Sequence, residues 1–141
     1  MIDGDKYIET TSAYFDFLIK EFGFKIFAKT INGNFFYSVQ YKNETQLISI
    51  SYENLEDFLS IAIVSLKDGG ANVYDETKAL NLNQLSAKIL PHINKNGITE
   101  NNKYFYQYSP QNAAERQLLK TAKELRICLK YFGKDETFMK K

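Results

Sequence analysis

The sequence predicts an α+β fold: an antiparallel sheet of four to five strands in a meander, with N-terminal and C-terminal helices packed on one face. Three observations lead there. Four runs between Phe24 and Leu66 show the side-chain period of a strand. The links between them are too short for parallel crossovers. Two flanking stretches carry apolar stripes at helical spacing.

The first stripe runs from about Asp5 to Phe22. Tyr14, Phe15, Leu18, Ile19 and Phe22 recur at three and four, with Asp16, Lys20 and Glu21 opposite. Phe17 falls off the stripe, at its edge or in solvent. Gly23 ends the helix, a common place for glycine. The first strand then covers Phe24–Ile31. Asn32-Gly33 accepts the positive φ angles of a two-residue hairpin turn.

The second strand, Phe35–Tyr41, sets Phe35, Tyr37, Val39 and Tyr41 against Phe36, Ser38 and Gln40. The polar break Lys42-Asn43-Glu44-Thr45 has hairpin length. In the third strand, Leu47–Glu53, Ile48, Ile50 and Tyr52 fall on one side and Ser49, Ser51 and Glu53 on the other. A short acidic link, Glu53 to Asp57, leads to the fourth strand, Phe58–Leu66. That run is apolar on both faces, as expected deep in a sheet or under a helix.

Gly69-Gly70 marks a loop. No Gly-Lys-Ser/Thr follows it, so it is not read as a phosphate loop. Leu80, Leu82, Leu85, Ile89 and Leu90 predict a helix capped by Asn81 or Asn83 and stopped by Pro91. The asparagine-rich Ile93–Asn102 reads as loop. Tyr104-Phe105-Tyr106-Gln107-Tyr108 reads as a fifth, edge strand with its tyrosines on one face. Ser109-Pro110 is expected to open the last helix. Leu118, Ala122, Leu125, Leu129 and Phe132 form its stripe, Gly133 ends it, and residues 134–141 form a frayed tail. The whole chain, 1–141, reads as a single domain.

Composition narrows the function classes. The chain has 141 residues, with 18 basic and 17 acidic groups and a net charge of +1. That balance argues against a general affinity for nucleic acid. The aromatic run Phe35-Phe36-Tyr37 lacks the basic, glycine-bearing signature of an RNA-binding strand. The single cysteine, Cys128, excludes an intramolecular disulfide and a cysteine-based zinc site. No secretory signal is visible at the N-terminus. The longest apolar run, Ile61–Val64, is far too short for a membrane span. The expectation is a cytoplasmic protein with no cofactor and no metal.

Few residues suggest chemistry. His92 is the only histidine, and no Ser, Cys or Asp near it in sequence forms a relay. Cys128 sits mid-helix between Ile127 and Leu129, where a core role suits it better than nucleophilic attack. Glu53, Glu56 and Asp57, and again Asp75 and Glu76, lack the spacing of a calcium loop and read as charged turns. No catalytic residue is therefore assigned. The best interaction residues are Tyr104, Tyr106 and Tyr108, because tyrosine combines apolar area with a polar tip. The Asp75-Glu76 pair would supply a charged rim.

Phe17-Leu18, Glu21-Phe22-Gly23-Phe24, Val39-Gln40-Tyr41-Lys42-Asn43 and Ile48-Ser49-Ile50-Ser51-Tyr52-Glu53 sit in the order helix, meander, helices. This pattern, over about Ala13 to Leu66, resembles small bacterial α+β proteins, some of which are immunity proteins that neutralise polymorphic toxins. The resemblance implies a non-enzymatic protein-binding module with a toxin-like partner. The chain is expected to be a monomer or a homodimer. It carries over no site residue. The alternative is a small-molecule-binding domain with a pocket between sheet and helices.

Overall fold

The computed structural model describes residues 2–65 and 79–132. The expectations for Gly69-Gly70, for Asp75 and Glu76, and for the tail at 134–141 lie outside the described residues. The chain divides into two compact units, one ending at Asn81 and the other beginning at Leu82.

The first unit contains α1 (Gly4–Tyr14), α2 (Phe17–Lys20) and five strands: β1 (Lys25–Asn32), β2 (Phe36–Lys42), β3 (Gln46–Glu53), β4 (Phe58–Ser65) and β5 (Ala79–Asn81). The sheet order is β1-β2-β3-β4-β5, antiparallel throughout. Period-two alternation places the first four strands within two residues of their expected bounds. The register also follows the pattern. Tyr37 lies opposite Tyr52, Val39 opposite Ile50 and Tyr41 opposite Ile48, and all six are buried. β4 is apolar on both sides because it lies inside the sheet, between β3 and β5.

The fifth strand is Ala79–Asn81, paired with β4, and not Tyr104–Tyr108. Leu80 therefore belongs to the sheet rather than to the following helix. The first hairpin also differs from expectation. Asn32 pairs with Phe36, so Gly33, Asn34 and Phe35 all lie in the turn. Gly33 takes φ +56, a region that costs glycine nothing. Phe35 thus leaves the buried face predicted for it.

The expected single N-terminal helix is two. The ladder stops at Phe15, and α2 starts at Phe17. The break has a packing cause. Residues two apart point to different sides of one straight helix. Here Phe15 and Phe17 are both fully buried, with ring centroids 6.0 Å apart. Ile19 loses its predicted place and is 40 % exposed. Beyond α2, Gly23 at φ +73 turns the chain, and the Phe24 N–H donates to the Leu18 carbonyl at 2.9 Å.

α1 covers the tyrosine face of the sheet. Tyr7 is fully buried, and its ring lies 5.5 Å from Tyr37 and 5.8 Å from Tyr52. Its hydroxyl donates to the Ile50 carbonyl at 2.8 Å, and the Tyr37 hydroxyl donates to the Ile2 carbonyl at 3.0 Å. Burial pushes the Tyr7, Tyr41 and Tyr52 phenols far above the ordinary tyrosine value of 10.0. The Asp57 carboxylate adds to the effect at Tyr52, whose hydroxyl donates to it. A folded-state pKa above the unfolded one means full stabilisation below pH 10 and loss as pH rises beyond it. Alkaline unfolding is therefore expected to coincide with tyrosinate formation. At least Tyr7, Tyr41 and Tyr52 should ionise in one cooperative step, read at 295 nm together with loss of circular dichroism. Smooth, independent ionisation of every tyrosine in a folded chain would contradict it.

The second unit contains α3 (Leu82–Ile89), a 3-10 turn with Pro91, α4 (Lys95–Tyr104), a second 3-10 turn (Phe105–Gln107) and α5 (Ala113–Phe132). α3 packs on α5. Leu82, Leu85 and Ile89 are buried, as are Leu118, Ala122, Leu125 and Leu129. The segment read as loop, Ile93–Asn102, is largely helix. Its asparagines explain why: Asn94, in extended conformation, accepts the Gly97 N–H at 2.8 Å and caps α4. α5 opens at Ala113 rather than at Ser109-Pro110. Asn112 accepts the Glu115 N–H at 2.9 Å, and the Glu115 carboxylate reaches back to the Gln111 N–H at 3.0 Å.

Candidate functional site

The three tyrosines singled out from the sequence do not line one face. Tyr104 ends α4, and Tyr106 lies in the 3-10 turn that follows. Helical geometry sends residues two apart in different directions, so the alternation that aligns them on a strand separates them here. Tyr104 is half-buried under Arg126, whose guanidinium carbon stands 4.2 Å from the ring centroid. The Arg126 guanidinium donates to the Asn101 side-chain oxygen at 2.8 Å, and Asn101 donates to the Lys123 carbonyl at 2.9 Å. Tyr108 packs 6.4 Å from the buried Phe105 ring. Tyr104 and Tyr108 thus help to close the second unit. Tyr106, 72 % exposed, offers a surface. Asp75 and Glu76 lie outside the described residues.

Within the second unit, His92 and Cys128 have different settings. His92 is exposed on the Pro91 turn. Cys128 is fully buried, 3.6 Å from the Ser86 hydroxyl, which in turn lies 3.3 Å from a Glu124 oxygen. Burial pushes the thiol up to about 11, which disfavours the thiolate a nucleophile needs. Asp57, at φ +50, is held by the Tyr52 hydroxyl in the β3–β4 link. Among the described residues, no group of three His, Cys, Asp or Glu is placed to hold a metal ion. No helix among them is long and apolar enough to cross a membrane.

What the fold does assemble lies on the first unit. β1 is the edge of the sheet, and its side chains are exposed along most of its length. Ile26, Phe27 and Ile31 are among them. No described hydrogen bond beyond the ladder to β2 engages residues 25–31. The ladder is irregular between Ile26 and Ala28, a bulge that gives Phe27 an unpaired position. Phe27 meets the Lys42 ammonium 4.6 Å from its ring centroid.

Two open pockets flank this strand. One, of about 810 Å³, involves Lys25, Ile26, Phe27, Lys42 and the Asn43–Thr45 turn. The other, of about 600 Å³, lies between β1 and α1, with Ile8, Ser12, Lys29 and Ile31 on its walls. Asp5 and Glu9 also border the second, and Glu44 the first.

At one end of the sheet stands an apolar tip. Phe35 is 59 % exposed, Leu55 69 % and Phe58 55 %. The pairing Phe36–Glu53–Phe58 brings the β1–β2 turn and the β3–β4 link to this end. Asn54 fastens them. Its N–H donates to the Phe35 carbonyl at 2.8 Å. Its side-chain amide reaches the Asn34 carbonyl at 2.9 Å, the Ile2 carbonyl at 3.1 Å and the Tyr37 hydroxyl at 3.1 Å.

Sequence reading missed both features. The signal for the edge was there: Ile26-Phe27 breaks the alternation, and Lys25 and Lys29 bracket the break. Edge strands use bulges and lysines in this way. The tip had no such signal, because Phe35 continues the period of Tyr37 and Val39.

Compared with known proteins, the chain matches no family model, no curated protein and no solved structure.

Proposed function

We propose that this chain is a non-enzymatic protein-binding module acting through the sheet edge and tip of its first unit. The observation that supports it is the exposure of Ile26, Phe27 and Ile31 along a strand with no outer partner among the described residues. Apolar side chains on an open edge offer both area and unused backbone hydrogen bonds. No catalytic residue is assigned: His92 is exposed on a turn and Cys128 is buried with a raised thiol pKa. The narrower form, a toxin-neutralising immunity protein, rests on the resemblance in element order. Such a protein would cover its partner's active site with this preformed surface.

One observation favours the second reading, a small-molecule site: the 810 Å³ pocket falls within the size range of ligand sites. Its apolar residues Ile26 and Phe27 are 38 % and 52 % exposed, though, and a ligand there would stay largely in water. Protein binding is the better account.

The test is photo-crosslinking. A photoreactive amino acid is placed at Phe27, at Phe35 or at the exposed Lys120 of α5, and the chain is expressed in its native cell. The expected result is one protein captured at Phe27 or Phe35 and not at Lys120. Phe35→Glu should weaken binding of that protein about tenfold, the scale of an interface anchor. No more capture at Phe27 and Phe35 than at Lys120 would remove the reading.

A further inference from the structure

We infer that β1 takes up an extended acidic–apolar segment of another protein as a sixth strand of the sheet. This rests on the protein-binding reading and specifies its chemistry. Three observations carry it.

The first is the free edge. Residues 25–31 use their backbone toward β2 alone among the described hydrogen bonds, which leaves an outward row of donors and acceptors. The second is the placement of the pockets. Side chains of an added strand alternate between the two faces of the sheet. The pocket at Ile26 and Phe27 and the pocket at Ile8 and Ile31 both border this same edge. An incoming strand would reach both with its apolar side chains. Backbone pairing with pockets for alternate side chains is how strand addition combines affinity with specificity.

The third observation is charge. Lys25 and Lys29 are the only charged residues on β1, and neither has an ion pair among the described residues. The neighbouring carboxylates lie off the strand. Glu9 on α1 stands 4.0 Å from Lys6, Asp5 lies at the start of α1, and Glu44 is in the β2–β3 turn. Opposite charges across a strand pair stabilise it, and like charges oppose it. The occupant therefore carries carboxylates opposite Lys25 and Lys29. The same fact excludes a second copy of this chain as the favoured occupant. Pairing β1 with itself would bring both lysines of each copy, and no carboxylate, to one seam.

The experiment uses the full chain and a displayed library of capped ten-residue peptides randomised at every position. The expected enrichment is Asp or Glu at the positions opposite Lys25 and Lys29, with apolar residues among the others. Enriched peptides should slow amide exchange at residues 25–31 and nowhere else in the sheet. Methylating the backbone nitrogens along one edge of such a peptide should abolish binding, a control that leaves the protein untouched. Lys25→Glu with Lys29→Glu should weaken binding about tenfold, the scale of two reversed cross-strand charge pairs. Basic or charge-neutral enrichment would overturn the acidic occupant. Protection at the Phe35–Leu55–Phe58 tip instead would overturn strand addition while leaving the protein-binding module standing. Concentration-dependent protection of residues 25–31 without peptide would make a second copy the occupant and overturn the inference. Failure of the library together with failure of the crosslinks at Phe27 and Phe35 would remove both readings.

Discussion

Replacing Tyr7 by alanine is expected to destabilise the protein by about 3–5 kcal/mol, the range for deleting a buried aromatic ring. Tyr7 is fully buried and sits against Tyr37 and Tyr52. Its removal opens a cavity that α1 and β2 cannot both collapse into, because Tyr37 is tied to Ile2. Tyr7→Phe separates the contributions. It keeps the ring and loses the hydroxyl with its bond to the Ile50 carbonyl, a loss of about 1 kcal/mol. Urea unfolding followed by circular dichroism measures both. Equal costs for the two variants would show that the hydroxyl, not the ring, holds α1 on the sheet, against the packing argument.

Asn54→Ala is expected to cost about 2–3 kcal/mol, at the upper end for a lost buried hydrogen-bonding group. Asn54 is 3 % exposed, and its amide serves acceptors on two other segments. Alanine leaves the Ile2 and Asn34 carbonyls without that donor. The loss should also loosen the tip, since the two turns carrying Phe35 and Leu55 meet at this residue. Amide exchange near Phe35 should accelerate more than exchange in α5. A variant as stable as the parent, or one with uniform acceleration, would show that the link closes without this side chain.

The sheet was legible because half-buried antiparallel strands write their faces into alternate residues. Tyr37, Val39 and Tyr41, and Ile48, Ile50 and Tyr52, lie where that rule puts them. The helices were legible where their stripes are apolar, as in α5. α4 was not, because its buried contacts are partly polar: Asn101 is buried through its bonds to Arg126 and Lys123. Asparagine reads as loop in a sequence and serves here as a cap and a core residue. The Tyr104–Tyr108 run failed for a related reason, since alternating aromatics satisfy a strand and a helix end alike. The candidate surface was the least legible part. Exposure of β1 depends on its being the outermost strand, and strand order is not written in any one strand.

The order β1-β2-β3-β4-β5 is also a statement about time. Each of the first four strands pairs with its neighbour in the chain across a link of a few residues, so little loop entropy opposes each step. Such local topology favours rapid folding. During synthesis the sheet can grow hairpin by hairpin, each new strand templated on the last. β1 is made first, and no later strand among the described residues covers its outer edge. It therefore stands open on a nascent sheet while other chains emerge nearby. Lys25, Lys29 and the bulge at Phe27 act from that moment, discouraging promiscuous pairing before any proper partner arrives.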